Sequence, residues 1–209
     1  AKPVRPKIIA STATVRKADT QVRALFEREQ VAVFPPPGPD RRDSFFAVTE
    51  PASKTPARLY IGLAAPGRSL TVVFLRANLA LLAAGQVAYN DEGGELNRSN
   101  PADPYMTVLG CFNSLRELGG RRRIVEDEVY SRMQRYDRRQ RLEPDDRLFT
   151  SRSAGYEPVE LTSRVSTNKV AAAKRRLSLP FSDKEHVDIA LAINMISVGL
   201  DILRLGLMA

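Results

Sequence analysis

Cysteine and histidine are nearly absent from this chain, and their scarcity excludes several classes of protein. The single cysteine, Cys111, cannot form an intrachain disulfide, so a disulfide scaffold is excluded and a reducing compartment is favoured. The single histidine, His186, has no Ser, Cys or carboxylate arrangement that implies a catalytic triad. We expect His186 to be a solvated side chain in a surface loop. We also expect no metal site, because no cluster of metal-ligating residues is present.

Long apolar runs are absent as well. The first apolar stretch, residues 8–10, is too short for the core of a secretory signal. The most apolar stretch, residues 70–84, is interrupted by Arg76 and Asn78 and falls short of the roughly 18 to 20 residues that cross a bilayer. The sequence therefore predicts a cytoplasmic protein with no membrane partner.

A third absence concerns nucleotide hydrolysis. The chain has no Gly-x-x-x-x-Gly-Lys-Ser/Thr segment to cradle a triphosphate. It also has no acidic Asp-Glu pair in a context that holds magnesium. We therefore expect no catalytic residue and no bound cofactor in this chain alone, and no nucleic-acid-stimulated ATPase activity from it.

The composition that is present fits a globular, basic protein. The 209 residues are 43% hydrophobic and 27% charged, which is enough for a sizeable core in one or two domains. Lys and Arg number 32 against 24 Asp and Glu, so the net charge is +8. This charge favours a polyanionic partner through counterion release, without proving one.

Strand and helix patterns alternate along the chain, which predicts an α/β fold with a largely parallel sheet flanked by helices. The expected strands cover residues 7–10, 31–34, 58–63, 107–112, 159–161 and 187–193. The expected helices are marked by Ala18, Val22, Leu25 and Phe26; by Leu70, Val73, Phe74, Ala77, Leu81 and Ala84; by Val125, Val129, Met133 and Tyr136; and by Val170, Ala173 and Leu177.

Proline and charge divide this pattern into regions. The cluster Pro35-Pro36-Pro37-Gly38-Pro39 cannot continue a helix or a central strand, so residues 35–57 are expected to form an interdomain linker. Residues 121–153 are dense in charge and are expected to form a charged helical insertion. Its arginines could meet phosphates, or they could form a solvated helix face.

Polar residues follow several of the expected strands, at the sheet edge where parallel α/β folds bind ligands. They include a helix amino terminus with hydroxyls and an arginine beside it, which is a good phosphate site. The candidate residues are Thr12, Thr14, Asn113, Ser114, Ser163, Arg164, Asn194, Ser197, Gly199 and Asp201.

These segments, in this order, resemble motifs of the superfamily 2 helicases. Thr12-Ala13-Thr14 resembles motif III, Phe112-Asn113-Ser114 resembles motif IV, and residues 194–201 resemble motif V. Residues 34–46, 112–119, 160–166 and 194–201 further resemble the large helicase-domain subunit of bacterial DISARM anti-phage systems.

The resemblance implies a helicase fragment with RecA-like architecture. Residues 1–34 would be the tail of a first RecA-like domain, and residues 58–209 a truncated second domain whose sheet is incomplete at the C-terminal edge. The longer parent would use ATP and Mg²⁺ and bind DNA or RNA. No Gln-x-x-Gly-Arg-x-Gly-Arg segment, the family's source of an arginine finger, is present in this chain.

The resemblance also implies roles for the candidate residues. Thr12 and Thr14 would couple ATP to movement, and Gly199 and Asp201 would approach the nucleotide ribose. Ile193 departs from the family pattern, because many relatives carry Thr there with a hydroxyl directed at a phosphate, and isoleucine has no hydroxyl for that expected contact. The contacts to backbone phosphates would come from Asn113, Ser114, Ser163, Arg164, Asn194 and Ser197.

Two other functions stay open at this point. The chain could be a truncated, catalytically inactive basic module for binding nucleic acid or another partner, or an unrelated nucleotide-binding α/β protein. Residues 205–208 begin a strand that ends at once, so an exposed sheet edge there predicts self-association. The other expected partner is the missing first RecA-like domain of the parent.

Overall fold

The chain is described by a computed structural model for residues 6–11, 17–34, 43–44, 47–139, 149–155, 157–162, 164–193 and 202–209. It divides into two compact units, Ala1–Gly62 and Leu63–Ala209. The predicted domain boundaries, with their linker and insertion, remain predictions.

The first unit contains one helix and one strand pair among its described residues. Helix α1 spans Ala18–Phe26, as predicted, with Asp19 in its first turn, where a carboxylate suits the helix dipole. Strands β1 (Asp43–Ser44) and β2 (Ala47–Val48) pair antiparallel. The strands predicted at residues 7–10 and 31–34 are absent, because neither segment has a strand partner in the described part of the unit.

The strand predicted at residues 58–63 is also wrong. The segment is not in a sheet, and Leu59, Tyr60 and Ile61 are 83%, 85% and 72% exposed. Alternating side chains suit a strand, but a strand also needs a neighbour to pair its backbone groups. This segment has none among the described residues.

The second unit is built on a four-stranded parallel sheet, which confirms the predicted fold class and is consistent with RecA-like architecture. Its order is β4-β5-β3-β6, with β3 at Val108–Phe112, β4 at Val159–Leu161, β5 at Ile189–Ile193 and β6 at Leu207–Met208. The strand predicted to begin near residue 205 is therefore present and pairs with β3 at one edge.

Both faces of the sheet are covered, because successive side chains of a strand point to opposite sides. On the first face, Val108, Ile189 and Leu191 pack with the helices that precede and follow β3. On the second face, Leu109 and Ala190 pack with the helix that follows β4. Strands buried on both faces read as continuous apolar runs, which is why β3 and β5 were recognisable in the sequence.

The connections obey the rule that parallel crossovers share one hand. From β3 the chain crosses over the place of β5 to β4, two strands away in the sheet, through helices on the first face. From β4 it returns in the opposite direction to β5, the adjacent strand, through α5 (Thr167–Leu177) on the second face. The step to β6 continues in that direction, and Ile202 and Leu205 pack on the second face.

Helix α2 spans Leu70–Asp91 and begins at Ser69, whose hydroxyl accepts a hydrogen bond from the Val72 N–H at 3.4 Å. The face predicted for this helix is only partly confirmed, because Leu70 and Ala84 are exposed and the other named positions are half-buried. The large side chains that are buried are Leu75, Leu79, Leu82 and Tyr89, offset by about one residue from the prediction. In so apolar a helix the hydrophobic pattern does not single out a face, so tertiary packing decides. Phe74 and Leu81 are half-buried at the margin of the core.

Helix α2 has the length and hydropathy of a membrane-spanning segment, with a mean hydropathy of 1.6 in its most apolar stretch. Core helices of soluble domains share these properties. Leu79 and Leu82 belong to the main core cluster, and Asn78 is fully buried with its amide donating to the Phe74 carbonyl at 2.9 Å. This packing favours the role of a core helix.

Helix α3 (Leu115–Ile124) continues through a π-helical segment, Val125–Val129, into α4 (Tyr130–Met133). The predicted apolar face is confirmed, since Val125, Val129, Met133 and the following Tyr136 are all buried on the first face of the sheet. The charged segment therefore contributes directly to the core.

A buried ion pair joins the segments at the amino edge of the sheet. The Arg152 guanidinium donates to the Asp188 carboxylate and, at 2.6 Å, to the Met106 carbonyl. The side chains of Arg152 and Asp188 are only 1% and 4% exposed. The Gly155 N–H donates to the other Asp188 oxygen at 2.6 Å. The pair fixes the return of the chain toward β4 against the starts of β3 and β5.

His186 belongs to this cluster, so its predicted role as a solvated side chain is wrong. Its Nδ1 lies 2.7 Å from the Asp183 carbonyl, its Nε2 lies 3.6 Å from the Asp188 carboxylate, and its ring packs on Phe181 at 4.6 Å. The neighbouring Asp188 carboxylate raises the pKa of His186, while burial opposes this shift. Burial alone would raise the pKa of Asp188, but contacts with His186, Arg152 and Gly155 outweigh it and lower that pKa.

We expect stability to fall as pH rises through neutrality. Because the pKa of His186 is raised in the fold, its contribution is complete below about 6.5 and is lost as pH rises through the raised value. Asp188 contributes a constant amount in this range, since its lowered pKa matters only below about 3.9. Urea unfolding at about pH 6 and about pH 8 would measure how much the free energy of unfolding falls between the two. The variant His186→Gln should show a smaller slope of this free energy against pH. An equal slope in that variant would contradict the assignment.

Candidate functional site

The candidate site lies at the carboxyl edge of the parallel sheet. Phe112 pairs with Ile193 and Leu161 pairs with Ala192, so β3, β4 and β5 end at the same edge. Strands β3 and β4 flank β5, which places their ends about 10 Å apart. Asn113 and Ser114 follow β3, and Arg164 follows β4, as the sequence predicts. We call these three residues, with Thr162, the carboxyl-edge site.

Ser114 has a structural role that leaves part of its hydroxyl available. Its Oγ accepts a hydrogen bond from the Glu117 N–H at 3.3 Å, which caps α3. The Glu117 carboxylate accepts in return from the Asn113 N–H at 3.3 Å. The Ser-x-x-Glu spacing is a known signal for such a cap. A capping hydroxyl accepts through a lone pair, so its own O–H can still donate to a ligand.

Thr162 organises the turn after β4. Its buried hydroxyl donates to Glu160 Oε1 at 2.7 Å and accepts from the Arg164 N–H at 3.4 Å. The Val165 N–H donates to the Thr162 carbonyl at 3.1 Å, which closes the turn before α5. The Arg164 side chain is exposed. The sequence offered one signal for this role, namely a hydroxyl residue directly after a buried strand.

Beside this turn lies a groove of about 490 Å³ along the outer strand β4, between α3 and α5. We call it the β4 groove. It is lined by Arg122, Glu157, Pro158, Val159, Glu160, Arg164, Val165, Lys169, Ala172, Ala173 and Arg176. Four cationic and two acidic side chains thus face the same space.

The charges of the β4 groove are not evenly compensated. Arg122 contacts three carboxylates, those of Glu126 and Glu160 at 2.8 Å and that of Glu157 at 3.6 Å. Hydrogen bonds to Glu126 and Glu160 raise the pKa of Arg122. Both acidic residues of the groove are therefore engaged by this one arginine.

The other three cations of the groove lie along its α5 side. Arg176 Nε donates to the Glu185 carbonyl at 3.1 Å, a contact that orients the guanidinium without neutralising it. Arg164 and Lys169 are exposed. The α5 side of the groove therefore presents positive charge from Arg164 at the carboxyl edge to Arg176, whose partner Glu185 precedes β5 at the amino edge.

Seven predicted site residues lie outside the described residues. They are Thr12, Thr14, Ser163, Asn194, Ser197, Gly199 and Asp201. Their roles remain predictions, as do the proposed contacts of Asn113, Ser114 and Arg164. Among the described residues, no group of three His, Cys, Asp or Glu side chains is arranged to hold a metal ion.

The fold and the site together define an α/β protein whose parallel sheet presents hydroxyl and cationic groups at its carboxyl edge. Over 205 residues, 98% of its length, the chain is 40% identical to DISARM protein DrmA of Bacillus paralicheniformis. This similarity relates the chain to DISARM systems. The chain spans only 17% of the length of that protein. No family model matches the chain.

Proposed function

We propose that this chain is part of an ATP-dependent nucleic-acid helicase or translocase of a DISARM anti-phage system, acting in the cytoplasm. It would supply contacts to backbone phosphates and one side of the ATP cleft between two RecA-like domains. The similarity to DISARM protein DrmA and the parallel sheet support this proposal.

The uncompensated positive side of the β4 groove is the observation that carries the proposal. Arg164 belongs to the carboxyl-edge site, and Lys169 and Arg176 continue the positive charge along α5 toward the amino edge. Guanidinium, ammonium and hydroxyl donors suit phosphate oxygens, and phosphate contacts position a strand without reading its sequence. We therefore expect binding that depends on salt and is indifferent to sequence.

The nucleotide part of the proposal rests on residues beyond the described ones. Thr12 and Thr14 would couple the ATP site to movement, and Gly199 and Asp201 would face the ribose. ATP and Mg²⁺ would be held mainly by parts of a longer protein, since this chain has no Walker A segment. Hydrolysis would then require both RecA-like domains.

The test is the triple variant Arg164→Ala, Lys169→Ala, Arg176→Ala. Affinity for a fluorescent single strand of about 20 nucleotides would be measured by anisotropy between about 50 and about 200 mM salt. Affinity falls as salt rises, and losing three phosphate contacts should reduce the steepness of log affinity against log salt by about 2. We call this steepness the salt slope. An unchanged slope would refute the assignment of the β4 groove.

A matched control removes the same charge elsewhere. Arg98, Arg175 and Lys184 are exposed and line neither the β4 groove nor the carboxyl-edge site. Replacing all three by alanine should leave the slope close to that of the parent chain. Equal losses in the two triple variants would mean that net charge, rather than this groove, governs binding.

A further inference from the structure

A second group of arginines lies at the amino edge of the sheet, away from the carboxyl-edge site. Helix α3 starts at the carboxyl edge, and the run ends with α4, where the Met133 carbonyl accepts from the Arg152 N–H at 3.2 Å. The Arg152 side chain contacts Met106 and Asp188, which precede β3 and β5. The end of α4 therefore lies at the amino edge.

A hollow of about 250 Å³ opens at this end of α4. We call it the arginine hollow. It is lined by Leu79, Ser131, Arg132, Arg135, Tyr136 and Arg139. Three of these six residues carry a guanidinium group, and none of them is acidic.

One neighbouring carboxylate already pairs with an arginine of the hollow. Glu128 pairs with Arg132 at 2.6 Å, and Asp137 accepts from the Ser151 hydroxyl at 2.7 Å. Arg139 lies over the Tyr136 ring, 5.3 Å from its centre, and Arg135 forms no ion pair with another described residue. Within the part of the chain that the structure describes, Arg135 and Arg139 therefore have no carboxylate partner, whereas Arg132 has one.

The wall that carries these arginines is firmly packed. Tyr136 is buried, and its ring lies 5.4 Å from that of Phe149. The Ser131 hydroxyl donates to the carbonyls of Asp127 and Glu128, at 3.1 and 3.3 Å. Arg139 lies over this fixed ring, and Arg135 precedes Tyr136 in the chain, so both are attached to a rigid part of the wall.

We infer that the arginine hollow binds backbone phosphates of a nucleic-acid strand. Guanidinium groups bind phosphate oxygens in bidentate fashion. Pockets for whole small molecules measure roughly 300 to 1,000 Å³, so this hollow suits a phosphodiester group better than a complete nucleotide. The site shares no residue with the β4 groove, so variants can test the two sites separately.

Footprinting with phenylglyoxal, which modifies free guanidinium groups, tests this inference residue by residue. The 209-residue chain would be treated alone and with a single strand of about 20 nucleotides, and the modified arginines identified by mass spectrometry. The strand should protect Arg135 and Arg139. Parallel samples with inorganic phosphate and with ATP, at equal phosphate concentration, separate the sources of the anion. Equal protection by either small anion, or no protection by the strand, would overturn the inference.

The double variant Arg135→Ala, Arg139→Ala provides the matching affinity measurement. It should lower the salt slope of single-strand binding by about 1.4, the value for two phosphate contacts. The control is Arg175→Ala, Lys184→Ala, which removes the same charge beside α5 on the other face of the sheet. Arg135→Gln leaves the contact between Arg139 and Tyr136 intact, and it should lower the slope by about 0.7.

The two sets of variants separate the two proposals. A slope lowered only by the β4-groove variant would overturn the arginine hollow and leave the proposed function standing. A slope lowered only by the Arg135 and Arg139 variant would overturn the phosphate contacts assigned to the β4 groove and support the arginine hollow. Thermal unfolding of each variant shows whether the fold is retained, and the footprint of the parent chain needs no variant at all.

Discussion

Replacing Asp188 by asparagine is expected to destabilise the second unit by about 3 to 5 kcal/mol, the cost of breaking a buried ion pair from one side. The Arg152 guanidinium is almost fully buried and would lose its charged partner. Burial already lowers the pKa of Arg152, and Asp188 opposes that shift. Whole domains are stable by only about 5 to 15 kcal/mol. Urea unfolding followed by circular dichroism would measure the change.

Two further variants separate this cost from a general effect of lost charge. Glu185→Gln breaks the exposed pair with Arg175, 2.8 Å apart, and should leave the unfolding midpoint unchanged, because exposed pairs contribute little. Arg152→Met combined with Asp188→Asn removes both charges and should recover part of the loss. A midpoint for Asp188→Asn equal to that of the parent chain would contradict the argument.

The sheet could be predicted because its strands are buried on both faces. Strands β3 and β5 appear in the sequence as short apolar runs followed by polar residues, and both are in the structure. The segment at residues 58–63 has an equally good local pattern, yet it is not in a sheet. Local alternation specifies which side chains could be buried, whereas pairing depends on a partner elsewhere in the chain.

The candidate site was only partly accessible to sequence reasoning, for a similar reason. Asn113, Ser114 and Arg164 were identifiable because each follows a recognisable strand. The pairing of Arg122 with Glu160 joins residues 38 positions apart, so no local pattern indicates it. In the sequence, Lys169 and Arg176 are ordinary polar positions of a helix. Only the structure shows that both line the β4 groove. His186 was misassigned because its partner Asp188 becomes buried only when the sheet forms.

Replacing Leu191 by alanine is expected to cost about 2 to 5 kcal/mol, since it deletes a fully buried leucine and leaves a cavity. Leu191 lies in the middle of β5, between β3 and β4, and packs on the first face of the sheet. The cost should fall in the upper part of that range if the neighbouring strands and helices cannot collapse into the space. Urea unfolding gives the change in free energy.

Leu96→Ala is the matched control, because Leu96 is 96% exposed and its truncation leaves no cavity. We expect its unfolding midpoint to match that of the parent chain. Because β5 holds β3 and β4 in register, Leu191→Ala should weaken the proposed nucleic-acid binding only to the extent that it unfolds the second unit. Binding by Leu191→Ala should therefore follow its folded fraction as urea is added. A loss of affinity while the variant is fully folded would show that β5 also sets the geometry of the carboxyl-edge site.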